Sequence, residues 1–538
     1  MSTTTLSGIQ NVPVEWSFVP AQKHRDPFNR VEYDVEFLND QGRTWRVPAF
    51  WRGGQKWSVR FVAPQAGAYH FQVAGEPDRS GTLNVRAYRG KNPLFRHGPL
   101  TVSADRCYLR HADGTPFFWL GDTWWLGASK RLDWPAGFKL AARDRRKKGF
   151  SLIQMVVGLP PDMDVFDKRA HNEGGYAWEK GFKRINPAYF DHADKRIAGL
   201  AAHGLVPCIF GCWGYYLLKL GPERMRHHYR NLVARYAAYP VVWCMSGEQT
   251  MPWYLSKTGE ADKAAQKEGW TGITRYVRQL DPFERLITTH PTYMADSRDQ
   301  VTDESLIDVD MLQTSHSGYN SLKDDTRMLF TALQKHPRMP VVNGETCYEG
   351  MLGGNWEDVQ RFLFWSNFLS GAAGYTYGAN GVWSFETEKI PFGASPHGAC
   401  WNTVPWKSAL AYPGGRQMGI GKRILEQYPW WECRPHPEWA EPAATADNCW
   451  APYCAGIPDR LRIIYFPTLI SNWTTRPRLK GLEPEAVYRA HCFDPRTGRK
   501  YELGRVKGDA QGGWMAPVLP VLQDLVLVLI NSRVAKSS

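Results

Sequence analysis

The sequence predicts an α/β protein: a central (β/α)8 TIM barrel flanked by N-terminal and C-terminal β-sandwich domains. Three observations predict it. The chain has 538 residues, room for three or four domains at about 150 residues each. Between about residues 100 and 425, eight short apolar runs alternate with stretches mostly long enough for crossover helices. On either side, short alternating segments separated by turn residues replace that pattern. The division this suggests is 1–90, 91–430 and 431–538.

The N-terminal strands are expected at Val14–Val19, Val31–Leu38, Thr44–Trp51, Lys56–Val62, Ala68–Val73 and Thr82–Tyr88, parted by turns such as Gly53-Gly54. About six short strands in 80 residues suit a small sandwich. A Gly/Pro-rich joint follows at Gly90–Pro99. The eight barrel runs are Phe117–Gly121, Ser151–Val157, Val206–Phe210, Val241–Ser246, Leu286–Thr289, Met311–Thr314, Val341–Gly344 and Ala373–Thr376. One intervening stretch shows a helical stripe of Phe190, Ala193, Ile197, Leu200 and Ala201, with Gly204 as its stop. From Thr289 to Met311 the helical pattern is poor. Strands return at Leu461–Tyr465, Ala486–Cys492 and Leu522–Leu529, with a turn at Asp494–Gly498.

Composition excludes several classes. Hydrophobic residues make 43% and charged residues 22%, which is a globular balance. No run of 18 apolar residues occurs, so no membrane partner is expected. The net charge is +13, but the densest basic run, Arg143–Lys148, reads as the solvated last turn of a helix, so no nucleic acid is expected either. The opening MSTTTLSGIQNVPVEW lacks a basic stretch and an apolar stretch, which predicts no secretory leader and a cytoplasmic location. Ten cysteines include no C-x-x-C pair, so reduced structural thiols are expected. His227-His228 diverge by about 100° on a helix, and no nucleotide-binding glycine motif follows a strand. No metal and no cofactor are expected. A G-x-S-x-G elbow around Ser246 fails, because Cys244 and Glu248 stand where both glycines should be. Trp, Tyr and Phe number 24 each, a tryptophan excess that favours stacking on sugar rings.

In a barrel, chemistry sits just past the C-terminal ends of the strands. Two glutamates, Glu248 and Glu345, follow the fourth and seventh apolar runs. Each is held on a rigid element and aimed at a shared cleft. Glycoside hydrolysis needs such a pair: one carboxyl to protonate the leaving oxygen, one to attack or to activate water. Around Glu248, Trp243, Met245 and Met251 could supply apolar cover. Asp122 after the first run could take sugar hydroxyls or cap the following segment. His290 and His316 after the fifth and sixth could line the pocket, or be satisfied core histidines. Trp124, Trp213 and Trp383 could form a stacking floor, or be core. Tyr348 or His316 could donate to Glu345. Glu349 is placed out in its loop as a supporting or surface group.

The segment from Phe117-Phe-Trp-Leu-Gly-Asp-Thr-Trp124 to Val342-Asn-Gly-Glu-Thr-Cys-Tyr-Glu349 resembles the apiosidase-like catalytic domain of bacterial glycoside hydrolases. Asn29–Glu36 with Arg46–Trp51 resembles the β-sandwich often placed before it, and Val487–Gly498 the small β-domain that follows. Relatives often carry Asp where this chain has Glu248. The resemblance implies a retaining glycoside hydrolase with Glu248 as acid/base and Glu345 as nucleophile. It implies a terminal pentose, furanose or related residue of an oligosaccharide or glycoside as substrate. Long loops at Pro160–Asn186 and Cys212–Glu223 suggest a pocket and exo action. The alternative is a catalytically inactive carbohydrate-binding or scaffold barrel. The partner is then a carbohydrate; a homo-oligomer stays open.

Overall fold

Each of the eight apolar runs becomes a strand in the computed structural model, which describes residues 4–401, 404–467, 478–515 and 523–532. The strands are β1 (Trp119–Trp124), β2 (Leu152–Leu159), β3 (Val206–Cys212), β4 (Val242–Cys244), β5 (Ile287–Thr288), β6 (Asp310–Gln313), β7 (Val341–Glu345) and β8 (Gly374–Tyr377). Their hydrogen-bonded order is β5-β4-β3-β2-β1-β8-β7-β6, all parallel. Every residue in them is buried. That is why the runs are continuous rather than alternating: a parallel sheet packed on both faces has no wet side.

Between the strands lie helices such as Ala136–Lys148, Pro187–Ala202, Pro222–Tyr236, Gly259–Leu280, Ser321–Gln334, Glu357–Leu369 and Pro413–Leu425. The Pro187–Ala202 helix shows how the sequence sets them. Asn186 caps it, its side chain accepting from the Ala188 N–H at 3.1 Å, and Pro187 occupies the first turn, where no N–H is needed. Its apolar stripe is buried, and Gly204 ends the turn at a φ of +73°. The basic run closes the Ala136–Lys148 helix, as expected, but it is not all solvated. Arg145 is buried and paired with Asp122 at 2.6 Å.

The poor helical pattern after β5 has a structural counterpart. Two short 3-10 turns, Arg298–Gln300 and Glu304–Leu306, stand there, with a two-residue strand, Ala295–Asp296, antiparallel to β6. The sheet closes between β5 and β6 through a stitched seam. The Asp308 N–H bonds the Ile287 carbonyl at 2.8 Å. The Thr288 hydroxyl donates to the Val309 carbonyl at 2.8 Å. The Ser297 hydroxyl donates to the Thr289 carbonyl at 2.5 Å and accepts from the Met311 N–H at 2.8 Å.

The N-terminal region forms a five-stranded sheet and a three-stranded sheet. The expected Thr44–Trp51 strand divides: Thr44–Pro48 joins the larger sheet and Phe50–Gly53 the smaller. Val31–Leu38 also contracts, to Asp34–Asn39. An edge strand at Thr4–Ile9, parallel to Glu76–Arg86, is unforeseen; it is mostly exposed and carries no alternation to read. The C-terminal region holds a six-stranded sheet that includes Leu461–Phe466, Tyr488–Phe493 and Leu525–Asn531, beside a sheet of three short strands. Leu522, the expected start of the last strand, lies outside the described residues. The Asp494–Gly498 turn forms, with the Gly498 N–H on the Asp494 carbonyl at 2.8 Å.

Buried ion pairs join the N-terminal sheets to the barrel helices. Asp194 receives Arg60 at 3.0 Å and Arg235 at 2.9 Å, and both guanidinium groups are almost wholly buried. Arg361 pairs with Asp524 at 2.8 Å between the barrel and the C-terminal sheet. No helix among the described residues is long and apolar enough to cross a membrane.

Candidate active site

The backbone ladder runs on past β3, β4 and β5 and so fixes Glu248. The Gly247 N–H bonds the Cys212 carbonyl at 3.0 Å, and the Gly214 N–H bonds the Gly247 carbonyl at 2.7 Å. On the other side His290 N–H reaches the Ser246 carbonyl at 3.1 Å, and Gln249 N–H reaches the His290 carbonyl at 3.0 Å. Position 247 requires glycine: a Cβ there would lie 2.1 Å from the Trp213 ring. Glu248 itself takes a φ of +38°, a left-handed backbone that costs a non-glycine residue about 1–3 kcal/mol. Its carboxylate accepts from Trp213 Nε1 and from Gln313 Nε2, each at 3.1 Å.

Glu345 is the last residue of β7 and is 7% exposed. The Thr314 N–H holds its carbonyl at 2.8 Å. His316 Nε2 lies 2.9 Å from Oε1, a hydrogen bond. His290 Nε2 lies 3.1 Å from Oε2. The Glu248 N–H points at His290 Nδ1 from 3.4 Å, which leaves the proton of a neutral imidazole on Nε2, facing Glu345. One histidine thereby touches both glutamates. Trp125 completes the wall, its Nε1 donating to the Tyr348 hydroxyl at 3.1 Å and its ring edge-on to Trp213 and His290.

These surroundings drive the two carboxyls apart. Burial, and then the charge of Glu345, push Glu248 above the ordinary range against the pull of His290, Gln313 and Trp213. Burial also opposes charge on Glu345, but His290 and His316 outweigh it and hold that group down to about 2. A carboxyl biased toward keeping its proton therefore stands beside one that stays ionised. This is the division that acid and nucleophile need.

The structure brings Trp213, His290, His316 and Tyr348 to the glutamates. Tyr348 meets His316 edge-on at 4.9 Å, and the charge of Glu345 adds to burial in raising its hydroxyl. It does not bring Asp122 or Trp124 there. Both have no exposed surface; Asp122 accepts from Arg145 and from Trp124 Nε1, each at 2.6 Å, and Trp124 packs on Phe138 of the outer helix. Trp383 is buried edge-on to Phe392, and its indole nitrogen has no hydrogen-bond partner among the described residues. Trp243 is not cover for Glu248: its indole bonds Asp281 at 2.8 Å in the outer layer. Glu349 is not on the surface. It is wholly buried, accepts from Tyr377 and from the Gly414 N–H, and burial pushes it up to about 7. Sequence reasoning missed Gln313, Trp125 and Asp162, the last of which feels both Glu248 and Glu345. Trp125 follows β1 directly, but the apolar run there does not fix which of its neighbours faces the cleft. Among the described residues no group of three or more His, Cys, Asp or Glu is arranged to hold a metal ion.

Known proteins agree with this architecture. The model of the apiosidase-like catalytic domain matches residues 103–432, and a domain of unknown function, DUF5060, matches residues 11–76. No curated protein matches the chain. Among solved structures, a glycoside hydrolase family 5 protein from Bacteroides vulgatus is 23% identical, with a TM-score of 0.67, over 83% of this chain and 95% of that one. A putative glycoside hydrolase from the same organism is 18% identical, with a TM-score of 0.68, over 98% of this chain and 100% of that one. A further chain described as a glycoside hydrolase is 22% identical, with a TM-score of 0.66, over 83% and 99%. At these identities the solved structures share the fold. The family match spans more than half of the 538 residues, and the chain therefore belongs to the apiosidase-like glycoside hydrolases and is a glycosidase.

Proposed function

We propose that the protein is a retaining, exo-acting glycosidase that releases a terminal pentose, furanose or related residue from oligosaccharides or glycosides. Glu345 attacks the anomeric carbon while Glu248 gives its proton to the leaving oxygen. Glu248 then takes a proton from water, which displaces Glu345 from the glycosyl-enzyme. The observation that carries this reading is the opposite bias of the two carboxyls: Glu345 is paired with two imidazoles, whereas Glu248 is left with a neutral amide and an indole. A nucleophile must be ionised before attack, and an acid must arrive protonated. Exo action is supported by the loop contacts around the cleft: Asp162 after β2 bonds Tyr254 after β4, and Tyr254 stacks on His397 after β8.

Proton NMR of hydrolysis tests the mechanism, with the first product anomer expected to match the substrate. Glu345→Gln should remove nearly all turnover. Glu248→Ala should slow poor leaving groups far more than activated aryl glycosides, and azide should partly restore it. Direct release of the inverted anomer would recast Glu345 as a general base. Tight oligosaccharide binding without turnover would point instead to a sugar-binding barrel.

A further inference from the structure

A third carboxyl, Asp162, lies close enough to the glutamate pair to feel the charge of both. Asp162 lies three residues past β2, after Pro160-Pro161, with a φ of +59°. Tyr254, from the loop after β4, grips it at two points. The Tyr254 hydroxyl accepts from the Asp162 N–H at 3.1 Å and donates to Asp162 Oδ1 at 3.1 Å. Tyr254 is itself held by three rings: it stacks on His397 at 5.0 Å with planes 7° apart, and meets Tyr215 and Trp253 edge-on. The clamp uses Oδ1 and leaves Oδ2 without a protein partner among the described residues.

The surroundings of Asp162 are acidic. Burial, then the charge of Glu248 and further that of Glu345, push its carboxyl up to about 7, so near neutrality it can both give and take a hydrogen bond. Arg169, whose guanidinium charge reaches it, is committed elsewhere. Arg169 binds Asp167 at 2.8 Å and the carbonyls of Phe392 and Ala394 at 2.8 and 3.1 Å. His290 and His316 are already engaged by Glu345.

We propose that Asp162 is a specificity-determining, substrate-binding residue: clamped by Tyr254, its free oxygen takes a hydroxyl of a neutral sugar and turns away a uronate. The inference rests on the glycosidase reading. A sugar hydroxyl is both donor and acceptor, and so it can meet this carboxyl in either protonation state. A uronate would bring a fourth carboxyl toward Glu248, Glu345 and Asp162, while Arg169 is paired with Asp167 and the Lys219 ammonium is seated on the Trp253 ring. The bare alternative is that Asp162 only pins its loop to Tyr254.

Steady-state kinetics on 4-nitrophenyl pentosides, hexosides and glucuronides of both anomers separates these readings. Wild type should favour its best neutral glycoside over any glucuronide by at least about a hundredfold in kcat/KM. Asp162→Asn preserves an oxygen for Tyr254 and should melt like wild type. It should nevertheless raise KM on the neutral glycoside by about tenfold or more, and narrow the preference over glucuronide. Asp162→Ala should raise KM further, toward a hundredfold, the range expected for losing a hydrogen bond to a charged group. Unchanged KM in a folded Asp162→Asn variant would reduce Asp162 to a loop pin and overturn the proposal, as would equal cleavage of glucuronides by wild type. If wild type turns over no member of the panel, the glycosidase reading fails and the inference falls with it.

Discussion

Asp122 and Trp125 exchange the roles that their positions in the sequence suggest, and the reason is the two-residue period of a strand. Along β1, Asp122 and Trp124 point outward to the helix layer, where they meet Arg145 and Phe138. Trp125, one residue on, reaches Tyr348, Trp213 and His290. Residues after a strand end are legible as a group, but which of two neighbours enters the cleft depends on a register that a short apolar run does not fix. The glutamates were legible because each stands alone past a continuous apolar run. Gln313 was not, because a glutamine closing a buried run reads as strand. Asp162 was not, because nothing in Pro-Pro-Asp announces a contact with Tyr254, 92 residues away. A stability measurement checks the exchange. Asp122→Ala leaves buried Arg145 with Asp144 as its remaining acidic partner, so it should cost about 3 kcal/mol, the low end for breaking a buried pair. Chemical denaturation should show this loss, while kcat/KM per folded molecule stays within about twofold. A tenfold loss of kcat/KM at unchanged stability would return Asp122 to the substrate.

At the scale of elements, the strands were readable where burial on both faces made the runs continuous or burial on one face made them alternate, as at Gly67–Val73, and unreadable where neither pattern ran. The mostly exposed edge strand Thr4–Ile9 has no pattern, and Thr44–Trp51 reads as one strand because residues 47–51 are all buried, so no exposed residue marks the change of sheet at Ala49. The step from β5 to β6 looked weak for a physical reason: no crossover helix covers it, and hydroxyls take the place of a ladder. That seam ends at His290, the residue touching both glutamates. Ser297→Ala would strand the Met311 N–H and loosen the Thr289 carbonyl, at a cost of about 1–3 kcal/mol. It should also lower kcat by about tenfold by letting His290 drift, with KM little changed. A variant that loses stability but keeps full kcat would show that the seam only supports the sheet.

Across the whole molecule, one apolar core runs from Phe18 and Trp51 in the N-terminal sheets through the barrel to Val526 and Val528 in the C-terminal sheet. Arg60 and Arg235, two buried cations from different regions, share Asp194. Regions joined in this way should not unfold separately. Scanning calorimetry should show one cooperative transition whose van't Hoff and calorimetric enthalpies agree. Asp194→Asn should lower its midpoint without splitting it, because it weakens a joint rather than freeing a domain. Two resolved transitions in the intact protein would show that the sheets and the barrel are thermodynamically independent.

The +38° φ at Glu248 makes that position the place where folding and use disagree. Glycine would take the same backbone shape at no steric cost, and it would leave no carboxyl to strip of water. Judged by conformational ease alone, glutamate is a poor tenant of this turn. The chain keeps it there, and so sits short of its own stability optimum at the one residue that faces Trp213, Gln313 and the second glutamate together.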